Sequence, residues 1–357
     1  MNRKILLLSV FIQAVLFASA QKQQSLLFFK PDNPLIQYTG RIDFSNPQLP
    51  RFWQPGVYIS FSFMGNNCEI ILNDEVLWGN NHNYIELVVD GNEYRLQTKT
   101  KCDTISLVPY LKGKGKHTVV LCKNTEANIG YMELVGIRCP QLVKPAAKPK
   151  RKIEFIGNSI TCGMGNDDSE IPCKTKNWYD QHNAWLSYGS ITARTLKAQF
   201  HLSSVSGIGL MHSCCGHKIV MPQVFDNINM FGDTIAWNFA RYQPDVVSVC
   251  LGQNDGVQDS ATFCKNYVSF IRQLRKHYPT AKIILLTSPM ADDKLRSFLR
   301  SSINEVRAKL MKEGEKKLFT HVFEKQYIAG CDAHPSKTEH KEIAAELTAV
   351  IKKIMKW

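Results

Sequence analysis

Between residues 35 and 139 the chain alternates apolar and polar positions with a period of two. Residues 57–63 follow this alternation, and the apolar run 84–89 meets Asp90-Gly91 before a second short run begins. Period two is typical of strands with one buried face, and Asp-Gly between two such runs predicts a tight hairpin. No long helical pattern interrupts the region. The many closely spaced strands predict an antiparallel β-sandwich.

After residue 151 the pattern changes to apolar runs that alternate with longer stretches of helical periodicity. In one such stretch Phe263, Tyr267, Phe270 and Leu274 recur on one side of a helix. Near-continuous apolar strands between amphipathic helices predict a parallel sheet of about five strands, covered on both faces. The predicted strands are 153–156, 201–206, 245–251, 282–288 and 318–323, and the predicted helices are 183–200, 260–278, 295–311 and 336–355.

The stretch between these two patterns is rich in proline and lysine and predicts a semi-rigid linker over 141–151. We therefore expect a β-sandwich domain over 21–140 and an α/β domain over 152–357. The sandwich has no nucleophile constellation of its own. It is either a packing module or the carrier of a carbohydrate-binding face, and the sequence leaves both interpretations open.

Residues 1–20 have the pattern of a secretory signal. Arg3 and Lys4 precede an apolar stretch, and Ala18-Ser19-Ala20 gives the small-residue cleavage pattern. The apolar stretch is short for a membrane span, so cleavage before Gln21 is the preferred interpretation. We expect the protein to be exported to the periplasm or beyond the cell, without stable insertion in a membrane.

The formal net charge of +13 comes from basic residues spread along the predicted helices. Solvated helix faces account for this spread, and attraction to an acidic polysaccharide or an anionic surface is the alternative. The chain contains no recognisable nucleic-acid-binding motif, so nucleic acid is not an expected partner.

The eleven cysteines lack the dense, regular spacing of a disulfide scaffold, and most are expected to be small buried side chains. Cys214-Cys215-Gly216-His217 invites interpretation as a metal site. Adjacent cysteines do not give the usual spacing of metal ligands, however, so no metal is predicted there.

The residues that could act in catalysis lie near the ends of predicted strands or just before the last predicted helix. Ser159 follows the first strand, Gly209 lies in a glycine loop after the second, Asn254 follows the third, and His334 precedes the last helix. The carboxyl ends of parallel strands meet at one edge of a sheet, where ligands bind. A serine nucleophile, a histidine base and hydrogen-bond donors for an oxyanion are the groups that ester hydrolysis requires.

Four stretches in this order resemble the SGNH/GDSL hydrolase family: Gly157-Asn-Ser159, Ser206-Gly-Ile-Gly209, Gly252-Gln-Asn254-Asp255 and Asp332-Ala-His334-Pro. The stretch 156–165, the preceding sandwich and the ending Cys331-Asp-Ala-His-Pro335 resemble more narrowly carbohydrate esterase family 2, whose members are secreted deacetylases with a jelly-roll domain ahead of the SGNH domain. The resemblance implies removal of O-acetyl groups from plant polysaccharides such as xylan and glucomannan, without a metal or cofactor.

The resemblance also implies roles for single residues. Ser159 would be the nucleophile and His334 the general base and then acid. The N–H groups of Ser159 and Gly209 and the side chain of Asn254 would form the oxyanion hole. Asp255 is expected to brace its loop.

The chain departs from the family pattern at two positions. Asn158 replaces the usual aspartate of Gly-Asp-Ser, and Cys331 occupies the position of the acid three residues before the histidine. Either Asp332 or a main-chain carbonyl would then orient His334. Trp178 and Trp237 lie in long loops, and their rings offer a sugar an apolar platform.

Three hypotheses follow for the function. The first is an exported serine esterase that acts on acetylated cell-wall polysaccharide. The second is a carbohydrate-binding protein with little or no turnover, which the replacement at Cys331 favours. The third is an SGNH enzyme for a different acyl ester, such as a lipid or a thioester.

Overall fold

The computed structural model describes residues 25–113, 115–232 and 234–357. The predicted signal segment, 1–20, lies outside the described residues. No helix in the described ranges is long and apolar enough to cross a membrane.

The first part of the chain folds into two antiparallel sheets that pack face to face around an apolar core. One sheet has the order β1-β10-β5-β8 with β3 beside β10, and the other has the order β11-β4-β9-β6-β7 with β2 beside β4. The strands are β1 (Leu27–Phe29), β2 (Gln37–Thr39), β3 (Arg51–Phe52), β4 (Tyr58–Met64), β5 (Glu69–Asp74), β6 (Tyr84–Val89), β7 (Asn92–Gln97), β8 (Cys102–Ser106), β9 (Lys116–Lys123), β10 (Met132–Cys139) and β11 (Gln141–Val143). This architecture confirms the predicted β-sandwich.

The predicted Asp90-Gly91 hairpin joins β6 to β7, with Val89 paired to Asn92. Both turn residues have positive φ, 50° at Asp90 and 82° at Gly91. A two-residue turn of this kind matches the twist of the strands that it connects.

The stretch expected to be a linker differs from the expectation at both ends. Gln141–Val143 forms β11 on the open edge of β4, and Arg151 begins the first strand of the second domain. An unpaired sheet edge exposes main-chain hydrogen-bonding groups, and the three residues of β11 satisfy part of that edge. The segment without regular structure is therefore shorter than the proline and lysine content indicates.

The second part of the chain is a parallel sheet of order β13-β12-β14-β15-β16, as predicted. Buried residues of α2 and α6 cover one face, and those of α4 and α5 cover the other. The elements are β12 (Arg151–Gly157), α1 (Ser159–Cys162), α2 (Tyr188–Thr195), β13 (Ala198–Ser204), α3 (Met221–Val224), β14 (Val246–Cys250), α4 (Ser260–His277), β15 (Lys282–Leu286), α5 (Asp293–Lys312), β16 (Leu318–His321) and α6 (Lys337–Met355).

The predicted helix over 183–200 is wrong at both ends. Asn183 caps a short 3-10 turn, α2 begins only after Ser187, and β13 already starts at Ala198. Lys197, with a φ of 52°, reverses the chain between the helix and the strand. Residues from Ala198 onward pair with β12 instead of continuing the helix. This pairing outweighs the helical periodicity, because it completes the main-chain hydrogen bonds of β12 on its second side.

The two domains are locked together by a buried ion pair. Arg41, from the sandwich, lies 2.9 Å from Glu154 of β12, and both side chains are almost completely buried. The Arg41 guanidinium also donates to the main-chain oxygens of Phe225 and Asn227. Removing one partner of such a pair would leave an uncompensated buried charge.

Candidate active site

Ser159 stands at the carboxyl edge of the sheet, where β12 passes directly into α1. Asn158 caps the short helix, since its side-chain oxygen accepts a hydrogen bond from the N–H of Ile160. The strand lies inside the sheet between β13 and β14, so its end is a fixed point. Ser159 is 5% exposed and opens onto a cleft of about 400 Å³.

His334 reaches back to this serine from the loop between β16 and α6. Its Nε2 lies 2.8 Å from the Ser159 Oγ, and its Nδ1 lies 3.0 Å from the main-chain oxygen of Asp332. A carbonyl oxygen only accepts hydrogen bonds, so Nδ1 carries the proton. The Nε2 lone pair then faces the serine hydroxyl, which is the arrangement that a general base requires.

The main chain, rather than the carboxylate, of Asp332 therefore contacts the histidine. The Asp332 side chain is exposed and makes no hydrogen bond within the described parts of the chain. Of the two ways predicted for orienting His334, the geometry favours the carbonyl. A carbonyl fixes the imidazole tautomer, as a carboxylate does, but contributes a dipole in place of a full charge.

The left-handed backbone conformation of Asp332 and Ala333 orients the Asp332 carbonyl towards His334. Asp332 and Ala333 have φ values of 51° and 55°. Residues with side chains rarely adopt such values, and they do so where the surrounding structure imposes them.

The constraint on this loop comes from Cys331. Its sulfur is bonded to Cys173, and its N–H donates to the main-chain oxygen of Gly165 at 2.9 Å. Gly165 has a φ of +65°, and a Cβ there would lie 2.7 Å from the Cys331 oxygen, so the two loops meet at a distance that only glycine permits. The position expected to carry an acid thus carries a covalent tether.

The protonation state of His334 suits a base. Burial lowers the pKa of His334 below its ordinary value of 6.5, and the hydrogen bond to the Asp332 carbonyl opposes this only in part. The imidazole is consequently neutral near pH 7, with a free electron pair on Nε2.

The donors for an oxyanion are placed differently from the prediction at one position. Gly209 donates its N–H to the Ser213 Oγ at 3.0 Å and does not line the cleft. Gly207 lines the cleft instead, and no acceptor for its N–H is found in the described ranges. Its φ of +79° and the close approach of His217 require a glycine at this position. This geometry speaks against Gly209 as a donor and in favour of Gly207.

Asn254 and Asp255 occupy the expected strand end. Asn254 lines the cleft and donates one Nδ2 hydrogen to the Ile208 oxygen at 2.8 Å, which leaves its second hydrogen for a ligand. The Asp255 carboxylate accepts three main-chain N–H groups, at distances of 2.7–2.9 Å, and so braces the loop that starts at Gly207. The three donors are those of Leu210, Met211 and His212.

The sandwich domain also contributes to the site. Glu126, 1% exposed, accepts hydrogen bonds from the N–H of Ser206 at 2.9 Å and from its Oγ at 2.5 Å. Burial raises the pKa of the Glu126 carboxyl, and the bonds from Ser206 act in the opposite direction. Ser206 directly precedes Gly207, so a side chain of the first domain holds the donor loop of the second. Asn128, two residues further on, lines the cleft itself.

The walls of the cleft are mainly apolar. Met164, Met290 and the exposed Trp178 line it beside the serine, and Trp178 packs edge-on against the buried His182 at 4.7 Å. Trp237, predicted to bind substrate with Trp178, is buried among other aromatic rings at the seam of the domains and lies outside this cleft. The structure thus places Trp237 away from the cleft, because the loop that carries it packs against Trp53 and Ala127 of the sandwich.

Several lining residues were missed by the sequence analysis. Cys214 and Cys215 are bonded to each other and line the cleft, as does His217. Six of the seven free cysteines are buried, in line with the expectation for most of them. Glycine at 207 was visible in the motif, but only the fold distinguishes its position from that of Gly209.

The fold and site together define a class of protein. A serine hydroxyl that faces a neutral histidine, next to the free N–H of Gly207 at the carboxyl edge of a parallel sheet, provides the groups that a serine-dependent ester hydrolase requires.

Known proteins resemble the chain over both domains. The family model "Carbohydrate esterase 2 N-terminal" matches residues 38–149, and that of the GDSL-like Lipase/Acylhydrolase family matches residues 155–323. Cellulase/esterase CelE of Acetivibrio thermocellus is 33% identical over 339 residues, which cover 91% of this chain and 40% of the relative. This chain thus spans less than half the length of CelE.

Two further comparisons cover nearly the full length of the other protein. An acetylxylan esterase / glucomannan deacetylase of Cellvibrio japonicus is 29% identical over 337 residues, covering 91% of this chain and 90% of the relative. The structure of a family two carbohydrate esterase from Clostridium thermocellum, in complex with cellohexaose, is 30% identical with a TM-score of 0.81, covering 90% and 99%. The chain belongs to carbohydrate esterase family 2 and is a carboxylic ester hydrolase.

Proposed function

We propose that this protein is an exported esterase that removes O-acetyl groups from plant cell-wall polysaccharides such as xylan and glucomannan. The observation that carries the proposal is the 2.8 Å contact between the Ser159 Oγ and the unprotonated Nε2 of His334. The names of the relatives, acetylxylan esterase and glucomannan deacetylase, support the substrate class. The pattern of residues 1–20 supports export.

In the proposed reaction Ser159 attacks the acetyl carbonyl carbon while His334 takes the hydroxyl proton at Nε2. The N–H groups of Ser159 and Gly207 and the free Nδ2 hydrogen of Asn254 stabilise the negative charge on the carbonyl oxygen. The intermediate then expels the sugar oxygen, which receives the proton from His334. Water hydrolyses the acetyl-serine by the same steps, with acetate as the second product.

The shape of the cleft supports a small acyl group on a large alcohol. Met164 and Met290 lie beside the serine and offer an apolar surface to a methyl group, while Trp178 is exposed at the rim, where a sugar ring can stack. Asn128, Gln253 and His217 add polar groups along the same cleft.

The test is acetate release from acetylated xylan and acetylated glucomannan by the wild-type protein and by Ser159→Ala. Ser301→Ala, at an exposed position on α5, is the matched serine control and should retain full activity. We expect release by the wild type and by the control, and a loss of about 10³-fold or more in Ser159→Ala. Glycan binding without release by the wild type, or preference for long acyl esters over acetyl esters, would contradict the proposal.

A further inference from the structure

A second cavity, of about 370 Å³, lies at the seam between the domains. Lys152 and Gln199, at the starts of β12 and β13, line it, so it opens at the amino edge of the sheet. Ser159 follows the other end of β12. Seven residues of extended chain, at about 3.3 Å each, place the cavity about 20 Å from the serine. It is separate from the candidate active site.

Two buried N–H groups in the wall of this cavity lack an acceptor. His201 is 3% exposed, and its Nε2 accepts the N–H of Gly40 at 3.1 Å, so the proton is on Nδ1. That Nδ1–H has no hydrogen-bond partner in the described ranges, and neither does the indole N–H of Trp237, which is 6% exposed. A buried donor without an acceptor destabilises the folded state. An acceptor bound in the cavity would relieve this cost where it reaches these two donors.

Three cationic side chains line the same cavity: Lys148, Lys152 and Arg241. None of them forms an ion pair with any residue that the structure describes, and the lining includes no acidic side chain. Burial and the neighbouring Lys152 lower the pKa of Lys148. An anion would relieve this repulsion, so the charge of the acceptor is expected to be negative.

Aromatic rings complete the wall. The Arg241 guanidinium lies 5.2 Å from the centre of the Phe44 ring, and the Lys152 ammonium lies 5.6 Å from that of Tyr242. The His201 ring stacks on Tyr242 at 3.6 Å. The half-buried Tyr38 and Phe44 add an apolar part to the lining that a bare inorganic ion would not use, whereas a sugar ring presents C–H groups to aromatic rings and hydroxyls to polar groups.

We propose that this seam cavity binds a sugar that carries a carboxylate, that is, a uronic acid residue. The carboxylate would accept from His201 and Trp237 and balance the charges of Lys152 and Arg241. The proposal does not depend on the esterase reaction, because the residues that carry it lie outside the candidate active site.

The first test is a calorimetric titration of the full-length protein with glucuronic acid, with glucose as the neutral analogue and sulfate as the anion without a sugar ring. We expect saturable binding of glucuronate, weaker binding of sulfate and no binding of glucose. Lys152→Gln/Arg241→Gln should weaken glucuronate binding about tenfold or more, since the two charges that balance the carboxylate are removed. Arg300→Gln/Lys312→Gln, which removes equal charge from exposed positions on α5, should leave binding unchanged.

The second test observes a buried donor directly. In ¹H–¹⁵N spectra the indole resonance that Trp237→Phe removes should shift on addition of glucuronate and stay in place on addition of glucose. Ser159→Ala should bind glucuronate like the wild type, which separates this site from the esterase. Absence of saturable glucuronate binding, equal affinity for sulfate and glucuronate, or unchanged binding in Lys152→Gln/Arg241→Gln would each overturn the proposal.

Discussion

The serine and the histidine of the candidate site are held in place by different means. Ser159 follows an inner strand, bonded on both sides, and is capped by its neighbour Asn158. His334 stands on an irregular loop whose shape depends on two left-handed residues and on the Cys173–Cys331 disulfide. The nucleophile is thus placed by regular structure and the base by a few local contacts. The base can therefore be displaced without unfolding the domain.

The largest effect is expected when either member of the pair is removed. Ser159→Ala and His334→Ala should each lower kcat/KM for an acetyl ester by about 10³-fold or more, because the two groups act as a unit. The double variant should be no worse than the single variants. Circular dichroism melts should show that the fold is retained. Additive losses would show that the two residues do not act together.

The next largest effect is expected when the Cys173–Cys331 disulfide, which constrains the histidine loop, is removed. Cys173→Ala/Cys331→Ala should lower kcat by about 10²-fold at a temperature where the protein remains folded, since a misplacement of about 1 Å at a reacting group has that effect. Cys102→Ala, at an exposed free cysteine, is the matched control. An unchanged kcat in the double variant would show that the loop holds its shape without the disulfide.

A smaller effect is expected on the serine side, where Glu126 holds Ser206. Glu126→Gln should lower kcat about tenfold with little change in KM, because a hydrogen bond to a charged group contributes 1.5–3 kcal/mol. Glu69→Gln, at a partly exposed carboxylate of the sandwich, is the control. Loss of folding in place of loss of kcat would assign Glu126 a purely structural role, and melting curves distinguish the two outcomes.

The activity of the site should depend on pH through the protonation of His334. Only neutral His334 accepts the serine proton, and burial lowers its pKa below 6.5. Activity should therefore persist as the pH falls through 6.5 and decline only as the histidine becomes protonated at lower pH. The profile of kcat/KM against pH measures this directly. An acid limb centred at or above 6.5 would contradict the buried, uncharged state.

The smallest effect is expected at Asp332. Asp332→Asn should change kcat/KM less than about threefold, because the main-chain carbonyl, and not the carboxylate, contacts His334. Where a carboxylate orients the histidine, the same exchange costs about 10⁴-fold. A loss of that size would show that the side chain replaces the carbonyl during turnover.

The sequence predicted best what local patterns determine. Strand periodicity located the sheet, and the residues just after its strands included Ser159 and Asn254, both of which line the cleft. The two predicted site residues that the structure places away from the cleft, Gly209 and Trp237, lie between β13 and β14, a long region whose course depends on contacts with the sandwich. Periodicity carries no information about such contacts.

Contacts between residues far apart in the sequence could not be predicted from the sequence either. Cys173 and Cys331 are 158 positions apart, and eleven cysteines permit too many pairings for spacing to decide. Glu126 belongs to a strand connection of the sandwich, and nothing local to it indicates a partner in the other domain. These contacts arise only when the two domains pack.

Glu126 and Arg41 of the sandwich both contact residues of the hydrolase domain, so the two domains cannot be exchanged independently of each other. Many polysaccharide-active proteins are thought of as strings of exchangeable modules. Here a hydrolase domain transplanted without its sandwich would keep Ser159 and His334 but leave the carboxylate of Glu154 without its cation and Ser206 without its acceptor. The two domains therefore form one functional unit. A chimaera that joins the sandwich of one protein to the hydrolase domain of another at residue 150 should lose activity, because Glu154 and Ser206 lose their partners.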